Sequence, residues 1–324
     1  MNRDVKYSKA KDLYLTDLRI SSKSASTNSG YTQVLEQFGE YLRRSGDCAD
    51  EEISPADIIG WKHDLSTRGV GNNTICHYLT ILRVFFKWCV SNDIYATQPI
   101  NDTAFPFREE IVHDILTQEE IQTLLDDRKT NNSHRYIIGC TPNSLRDRAI
   151  IRLLITSGIR VSEMINLRLK DVDFEKALLY VEHGKGDKSR YAPLPEKASG
   201  VLLVYINDRE RRRGKMLLPD DWLFVCTNMQ TRMERRMTRQ AVSNMVEDYV
   251  YKVTWHKGIT AHDLRHAAAS LWDDMGIPIR DVQKALGHAN VSTTEHIYVS
   301  IINKDKAATS ISERMNDLYR ATHG

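Results

Sequence analysis

The chain has 324 residues, long enough for a sizeable core and more naturally two domains than one. With 45 Lys and Arg against 43 Asp and Glu, the formal net charge is only +2, so a polyanion partner does not follow from the total. No apolar run is long enough for a membrane span and no signal-peptide pattern is present, so the expectation is a cytoplasmic protein. The cysteines Cys48, Cys76, Cys89, Cys140 and Cys226 are odd in number and lack CxxC spacing. They read as reduced packing thiols in a reducing compartment.

Residues 27–45 place Tyr31, Val34, Leu35, Phe38, Tyr41 and Leu42 at three- and four-residue steps, the apolar stripe of a helix. Ser54-Pro55 opens a second helix with a cap and a proline in its first turn, and Gly69 and Gly71 mark its end. A third spans about 73–92, where Ile75, Leu79, Leu82, Phe85, Phe86 and Trp88 are too apolar to face water. Some 20 residues precede the first clear stripe, room for a short helix but not for a further folded domain.

Residues 93–112 lack periodicity and contain Pro99 and Pro106, which places the inter-domain linker there. The expected division is 1–100, a linker at 101–112, and a second domain at 113–324. Thr117 to Glu120 is a capping box, and helix is expected again at about 145–157. Val172 to Phe174, Leu178 to Val181 and Ser189 to Leu194 read as short strands with turns at Glu175-Lys176 and Gly184 to Asp187. Beyond about 196 the pattern is mostly helical, with a further strand expected at Trp222 to Cys226 and an amphipathic helix at 303–324. The fold class is therefore mainly α with a small antiparallel β-sheet.

The residues that carry chemistry are spread through the second domain. Gly158 ends an apolar helix, Arg160 follows at the start of the next, and Glu163 lies within reach of either. Lys185 sits in a glycine-flanked turn, and His262, Arg265 and His266 occupy one helix at steps of three and four. His288 follows Leu286-Gly287, and Tyr298 comes ten residues later. Each piece alone has an ordinary explanation: a surface ion pair, a charged hairpin tip, a core tyrosine. His262 and His266 have a spacing that can bind zinc, yet no nearby Glu or Cys completes a ligand set and Arg265 would repel a cation.

Together they suggest a phenol attacking a phosphodiester. A phenol with a pKa of about 10 needs a base to take its proton and cations to hold the anionic electrophile. Arginine forks suit phosphate oxygens, and lysine can both hold a charge and give up a proton.

The order Thr156-Ser157-Gly158-Ile159-Arg160-Val161-Ser162-Glu163, Gly184-Lys185-Gly186, His262-Asp263-Leu264-Arg265-His266, Leu286-Gly287-His288 and Thr293 to Tyr298 resembles the tyrosine recombinase (integrase) family. The resemblance spans residues 117–300, with the helical N-terminal part similar to the family's core-binding, SAM-like domain and the remainder to its α+β catalytic domain. The interval from His288 to Tyr298 is one residue longer than in the shortest members, and Tyr298 is the only tyrosine within it.

What the resemblance implies is a site-specific DNA recombinase of the Xer or mobile-element type, acting through a 3′-phosphotyrosine with no metal or other cofactor. Tyr298 would be the nucleophile. Arg160, Arg265 and His288 would stabilise the phosphorane-like charge, His262 would take the tyrosine proton, and Lys185 would protonate the leaving oxygen. Glu163 and His266 would support them. Related alternatives are type IB topoisomerase-like relaxation and a non-catalytic DNA-binding regulator.

The implied partners are a double-stranded recombination site, accessory or directionality proteins, and further copies of the chain in a tetramer with residues 303–324 docked in trans. The protein would associate with the nucleoid when bound to DNA. DNA contacts are expected from Lys62, Arg68, Asn72, Asn73, Thr74, His77 and Arg83 in the first domain. Lys188 and the arginine clusters at 209–215 and 232–239 are expected to serve the second, with Arg211, Arg212, Arg235 and Arg239 foremost.

Overall fold

The computed structural model describes residues 3–21, 25–45, 53–107, 116–126, 144–182, 189–228, 230–231 and 233–287. The chain divides into two compact units, Met1–Val112 and His113–Gly324. Lys185, Lys188, Arg232, His288, Tyr298 and residues 303–324 lie outside the described residues. Among those described, no helix is long and apolar enough to cross a membrane.

The first unit consists of helices α1 (Arg3–Ile20), α2 (Ala25–Arg44), α3 (Pro55–Thr67) and α4 (Asn72–Ser91). Their shared core is aromatic: Phe38 meets Tyr7 at 5.3 Å and Trp61 at 5.0 Å between ring centroids, and Tyr14 meets Phe85 at 5.3 Å. Edge-on pairs of this kind favour one packing over its neighbours. Ser54 and Asp57 form the capping box of α3, with the Ser54 amide donating to the Asp57 carboxylate at 2.8 Å.

Helix α1 corrects the expected short opening element, for it runs 18 residues. Its buried stripe is Tyr7, Ala10, Tyr14 and Leu18, weak in hydropathy but at helical spacing. The Tyr7 hydroxyl donates to the Leu35 carbonyl at 2.8 Å, and the Trp88 indole donates to Asp17 at 2.9 Å. Both bonds fasten α1 to the bundle. Asp102–Ala104 form a 3-10 turn, and Ala104 is buried in the same core.

The second unit is built around helix α6 (Ser144–Ser157), with α5 (Gln118–Leu125) before it. The Thr117–Glu120 capping box opens α5, and the Thr117 amide donates to Glu120 at 2.8 Å. Almost every residue of α6 is buried, because α8 (Glu196–Arg213), α9 (Arg239–Thr254) and α10 (Ala261–Asp274) all pack on it. Its charged residues are satisfied inside: Arg146 donates to the Val225 carbonyl at 3.0 Å and pairs with Asp147.

Short helix α7 (Val161–Met164) leads into a meander of β1 (Val172–Asp173), β2 (Leu178–Val181) and β3 (Arg190–Pro193), antiparallel in that order. Leu179 pairs with Val172 on one side and Ala192 on the other, which fixes the register. A second ribbon joins β4 (Val225–Thr227) to β5 (Glu234–Arg236). The sequence pattern does not predict β5, because its residues read as part of an arginine cluster. Arg209 of the other cluster also departs from expectation. It is buried, forks onto Glu234 at 2.8 and 2.7 Å, and cannot face a phosphate backbone from there. Helix α11 (Ile279–Leu286) follows α10 and ends at Gly287.

Candidate active site

Gly158, with φ of +60°, turns the chain out of α6 and leaves Arg160 as the N-terminal cap of α7. The turn is also sterically committed to glycine. A Cβ built on Gly158 would lie 2.7 Å from Leu286 Cδ2 and 3.2 Å from the Trp272 ring. Gly158→Ala is therefore expected to destabilise the fold by about 1–3 kcal/mol, measured by denaturant titration. Leu286 and Trp272 belong to a small apolar cluster with Ala269 and Val282 that seats α11 on α10. The glycine thus allows the loop before Arg160 to approach the end of α11.

Glu163 lies at the centre of the charged groups, buried to 6 % exposure. Its Oε1 accepts from Arg160 Nη1 at 2.8 Å and its Oε2 from the Arg160 amide at 2.8 Å. Arg190 of β3 forks onto the same carboxylate, Nη1 to Oε1 and Nη2 to Oε2, each at 2.8 Å. Burial alone would raise the Glu163 carboxyl; hydrogen bonds and charge from Arg190 and Arg160 outweigh it and hold the pKa at about 2. The carboxylate is ionised at any ordinary pH.

Three arginines meet three successive carbonyls at the end of α11. Arg190 Nε donates to Ala285 O at 2.9 Å, Arg265 Nη2 to Leu286 O at 2.6 Å, and Arg160 Nη2 to Gly287 O at 3.0 Å. A helix C-terminus leaves its last carbonyls without intrahelical partners and carries partial negative charge, so cations suit it. Arg265 also donates to Gly158 O at 2.6 Å, which ties α10 to the Gly158 turn. Burial first, then the charges of Arg160 and Arg190, push the Arg265 guanidinium down to about 9, with Glu163 opposing. It remains a cation at neutral pH.

Helix α10 separates its two expected reactive groups. Arg265 is turned inward at 4 % exposure, whereas His262 stays at the surface. The His262 and His266 rings meet edge to face with centroids 4.4 Å apart. Thr260 caps the helix, its hydroxyl accepting from the His262 amide at 3.2 Å, which orients the first turn. Among the described residues, no three His, Cys, Asp or Glu side chains gather in a metal-binding arrangement.

The structure brings Arg160, Glu163 and Arg265 together from segments about 100 residues apart in the chain. It adds Arg190, which the sequence reading misses. One signal pointed to it: Arg190 shares a strand face with Ala192 and Leu194, both fully buried, and an inward arginine requires a partner.

The residues expected to contact DNA differ in exposure and in their partners within the chain. Lys62 donates to Ala104 O at 3.2 Å, and Arg83 pairs with Asp102 at 2.9 Å, so both brace the 101–105 turn. Arg68 pairs with Asp64 at 3.3 Å, and Asn72 and Asn73 are half-buried at the start of α4. Thr74 and His77 are exposed on that helix. Arg211 and Arg212 both pair with Asp208, at 2.7 and 2.9 Å, while Arg235 and Arg239 are exposed.

The phage integrase family model matches residues 114–304, and the N-terminal SAM-like domain of phage integrases matches residues 12–93. Tyrosine recombinase XerD of Oceanobacillus iheyensis is 29% identical over 301 residues, 93% of each chain. Tyrosine recombinase XerC of Lacticaseibacillus casei is 29% identical over 280 residues, 86% of this chain and 89% of the relative. Among solved structures, the Tn1549 transposon integrase in complex with transposon right end DNA aligns with a TM-score of 0.70 at 18% identity, covering 97% of this chain and 99% of that one. XerH recombinase bound to its difH substrate in a post-cleavage complex aligns with a TM-score of 0.66 at 22% identity, covering 89% and 80%. These two likenesses are of fold. With a mostly helical two-unit architecture and a family match across more than half its length, the chain belongs to the phage integrase family of tyrosine recombinases.

Proposed function

We propose that this enzyme cuts and rejoins DNA at specific sites through a 3′-phosphotyrosine, with Tyr298 as nucleophile. The observation that carries the reading is the convergence of Arg160 and Arg265 on the end of α11, one residue before His288 in the chain. Two buried-edge cations held by carbonyls and a carboxylate are preorganised for the non-bridging oxygens of a phosphodiester.

In the forward step the Tyr298 Oη–P bond forms and the P–O5′ bond breaks. His262 accepts the phenol proton and Lys185 gives one to the leaving 5′-oxygen, while His288 donates a hydrogen bond to the phosphoryl group. His266, packed on His262, keeps that ring in place. One phosphoester replaces another, so a 5′-hydroxyl of the exchanged strand can reverse the step without an energy source.

The biological setting that fits is a two-domain recombinase, Xer-like or carried by a mobile element. It works in the cytoplasm on the nucleoid, as a tetramer on paired sites with residues 303–324 docked on a neighbouring copy. The first domain would span 1–100 and the catalytic domain 113–324, with the opening part of the 101–112 linker folded onto the first domain's core. Exposed Thr74 and His77 on α4, and Arg235 and Arg239, are the described positions best placed for DNA, with Lys188 a further phosphate contact.

The test uses supercoiled plasmid carrying the DNA that flanks the gene, quenched with detergent. Wild type is expected to leave covalent protein–DNA adduct, and Tyr298→Phe to bind the same DNA with none. An adduct that persists in Tyr298→Phe would overturn the assignment. Relaxation of plasmids lacking that DNA, by monomer and without paired-site products, would indicate a topoisomerase instead.

A further inference from the structure

We propose that Arg190 is a positioning residue for phosphoryl transfer, holding Glu163 and the end of α11 so that Arg160 is aimed at the phosphate. The inference rests on the recombinase reading above and assigns a role to a residue outside the set of Arg160, Lys185, His262, Arg265, His288 and Tyr298. It stands on how the donors of two arginines are distributed. Arg190 commits three of its five N–H groups to protein acceptors, two on Glu163 and one on Ala285 O. Its side chain is 11 % exposed. Arg160, at 23 %, commits two side-chain N–H groups to described residues, one each to Glu163 and Gly287 O. Arg190 is thus the more engaged and the more buried of the two, and Arg160 the more exposed.

The fork of Arg190 also fixes which way Glu163 faces. Both carboxylate oxygens accept from Arg190, so the carboxylate plane is set by β3, and Arg160 meets it through a single side-chain nitrogen. Without Arg190, the Arg160 amide bond to Oε2 is the remaining restraint on the carboxylate among the bonds described. Glu163 then gains freedom to turn toward a two-bond embrace with the Arg160 side chain, which would draw Arg160 off the phosphate. A second observation supports the same role. Gly287 has φ of +66°, and a Cβ built there would lie 3.0 Å from Arg190 Cδ and Nε and 3.1 Å from Cζ. The chain thus has no side chain at the point where Arg190 crosses the end of α11, immediately before His288.

The experiment is a double-mutant cycle on single-turnover cleavage of the flanking-DNA substrate, using Arg190→Gln, Glu163→Gln and the pair. Arg190→Gln is expected to slow cleavage roughly 10- to 100-fold, the scale of a slightly misplaced catalytic group, with DNA affinity within about 3-fold of wild type. In the Glu163→Gln background the same substitution should cost clearly less than in wild type, because its route to Arg160 through the carboxylate is gone and only the contact at the end of α11 remains. Arg190→Ala should regain part of its rate with millimolar guanidinium ion, whereas Arg190→Lys, a point charge without a fork, should stay slow.

Wild-type cleavage in Arg190→Gln would overturn the proposal. So would a loss of affinity matching the loss of rate, or a full effect persisting without Glu163. If Arg190→Gln does not fold, Arg190→Lys serves in the cycle with the same expectations. Adduct formation by wild type, lost in Tyr298→Phe, is the control: its failure would sink the recombinase reading rather than the role of Arg190.

Discussion

Arg160→Ala is expected to slow DNA cleavage about 10³-fold while leaving affinity for the duplex within a few-fold of wild type. The side chain sits at the rim of the site, 23 % exposed, with donors beyond those given to Glu163 and Gly287. Charge on the non-bridging oxygens grows as the phosphorane forms, so an interaction with them strengthens in the transition state and contributes little to ground-state binding. Affinity for the duplex comes from many phosphate contacts, of which this is one. Single-turnover cleavage and a salt-titrated binding isotherm together decide the matter. A loss of affinity as large as the loss of rate would mean that Arg160 anchors DNA rather than stabilising the reaction.

Glu163→Gln is expected to cost about 3 kcal/mol of folding stability at neutral pH and to remove one source of acid sensitivity. The carboxyl is held at about 2 against an ordinary 4.5. At about 1.4 kcal/mol per pH unit, that displacement amounts to about 3 kcal/mol. The sign follows from a folded-state pKa below the unfolded one. The contribution is complete above 4.5 and is lost as pH falls from there toward 2. Wild type should therefore lose its margin over the glutamine variant across that window, read from denaturant midpoints at several pH values. The neutral amide also removes the carboxylate charge that pairs Arg160 and Arg190, and breaking a buried ionic cluster by removing one partner is costly. A constant difference between the two proteins from pH 7 to pH 2 would show that the carboxylate's charge is not what matters.

Much of this architecture is legible in the chain itself, for physical reasons. Helices α2 and α4 show themselves through apolar residues at helical spacing, and α3 through its Ser54-Pro55 start and the glycines Gly69 and Gly71 that close it. Arg160 and Glu163 are three residues apart, so their pairing is local chemistry. Helix α1 escapes because its buried face is two tyrosines, an alanine and two leucines among many charges. Arg190 and Arg209 escape for a different reason. A charged residue reads as surface until its partner is known, and their partners Glu163 and Glu234 lie 27 and 25 positions away. Strand β5 is likewise defined by its pairing with β4, not by its own residues.

The cluster around Glu163 has a consequence for the protein when no DNA is bound. Among the described residues, Arg160 and Arg190 pair with the Glu163 carboxylate and the buried Arg265 lies within reach of its charge. The mutual repulsion of Arg160, Arg190 and Arg265, which adds to burial in lowering the Arg265 pKa, works against the fold. On the proposed reading, a substrate phosphate would relieve that repulsion and act as a structural counter-ion as well as a reactant. Stability and the gathering of positive charge are therefore opposed at this point of the molecule.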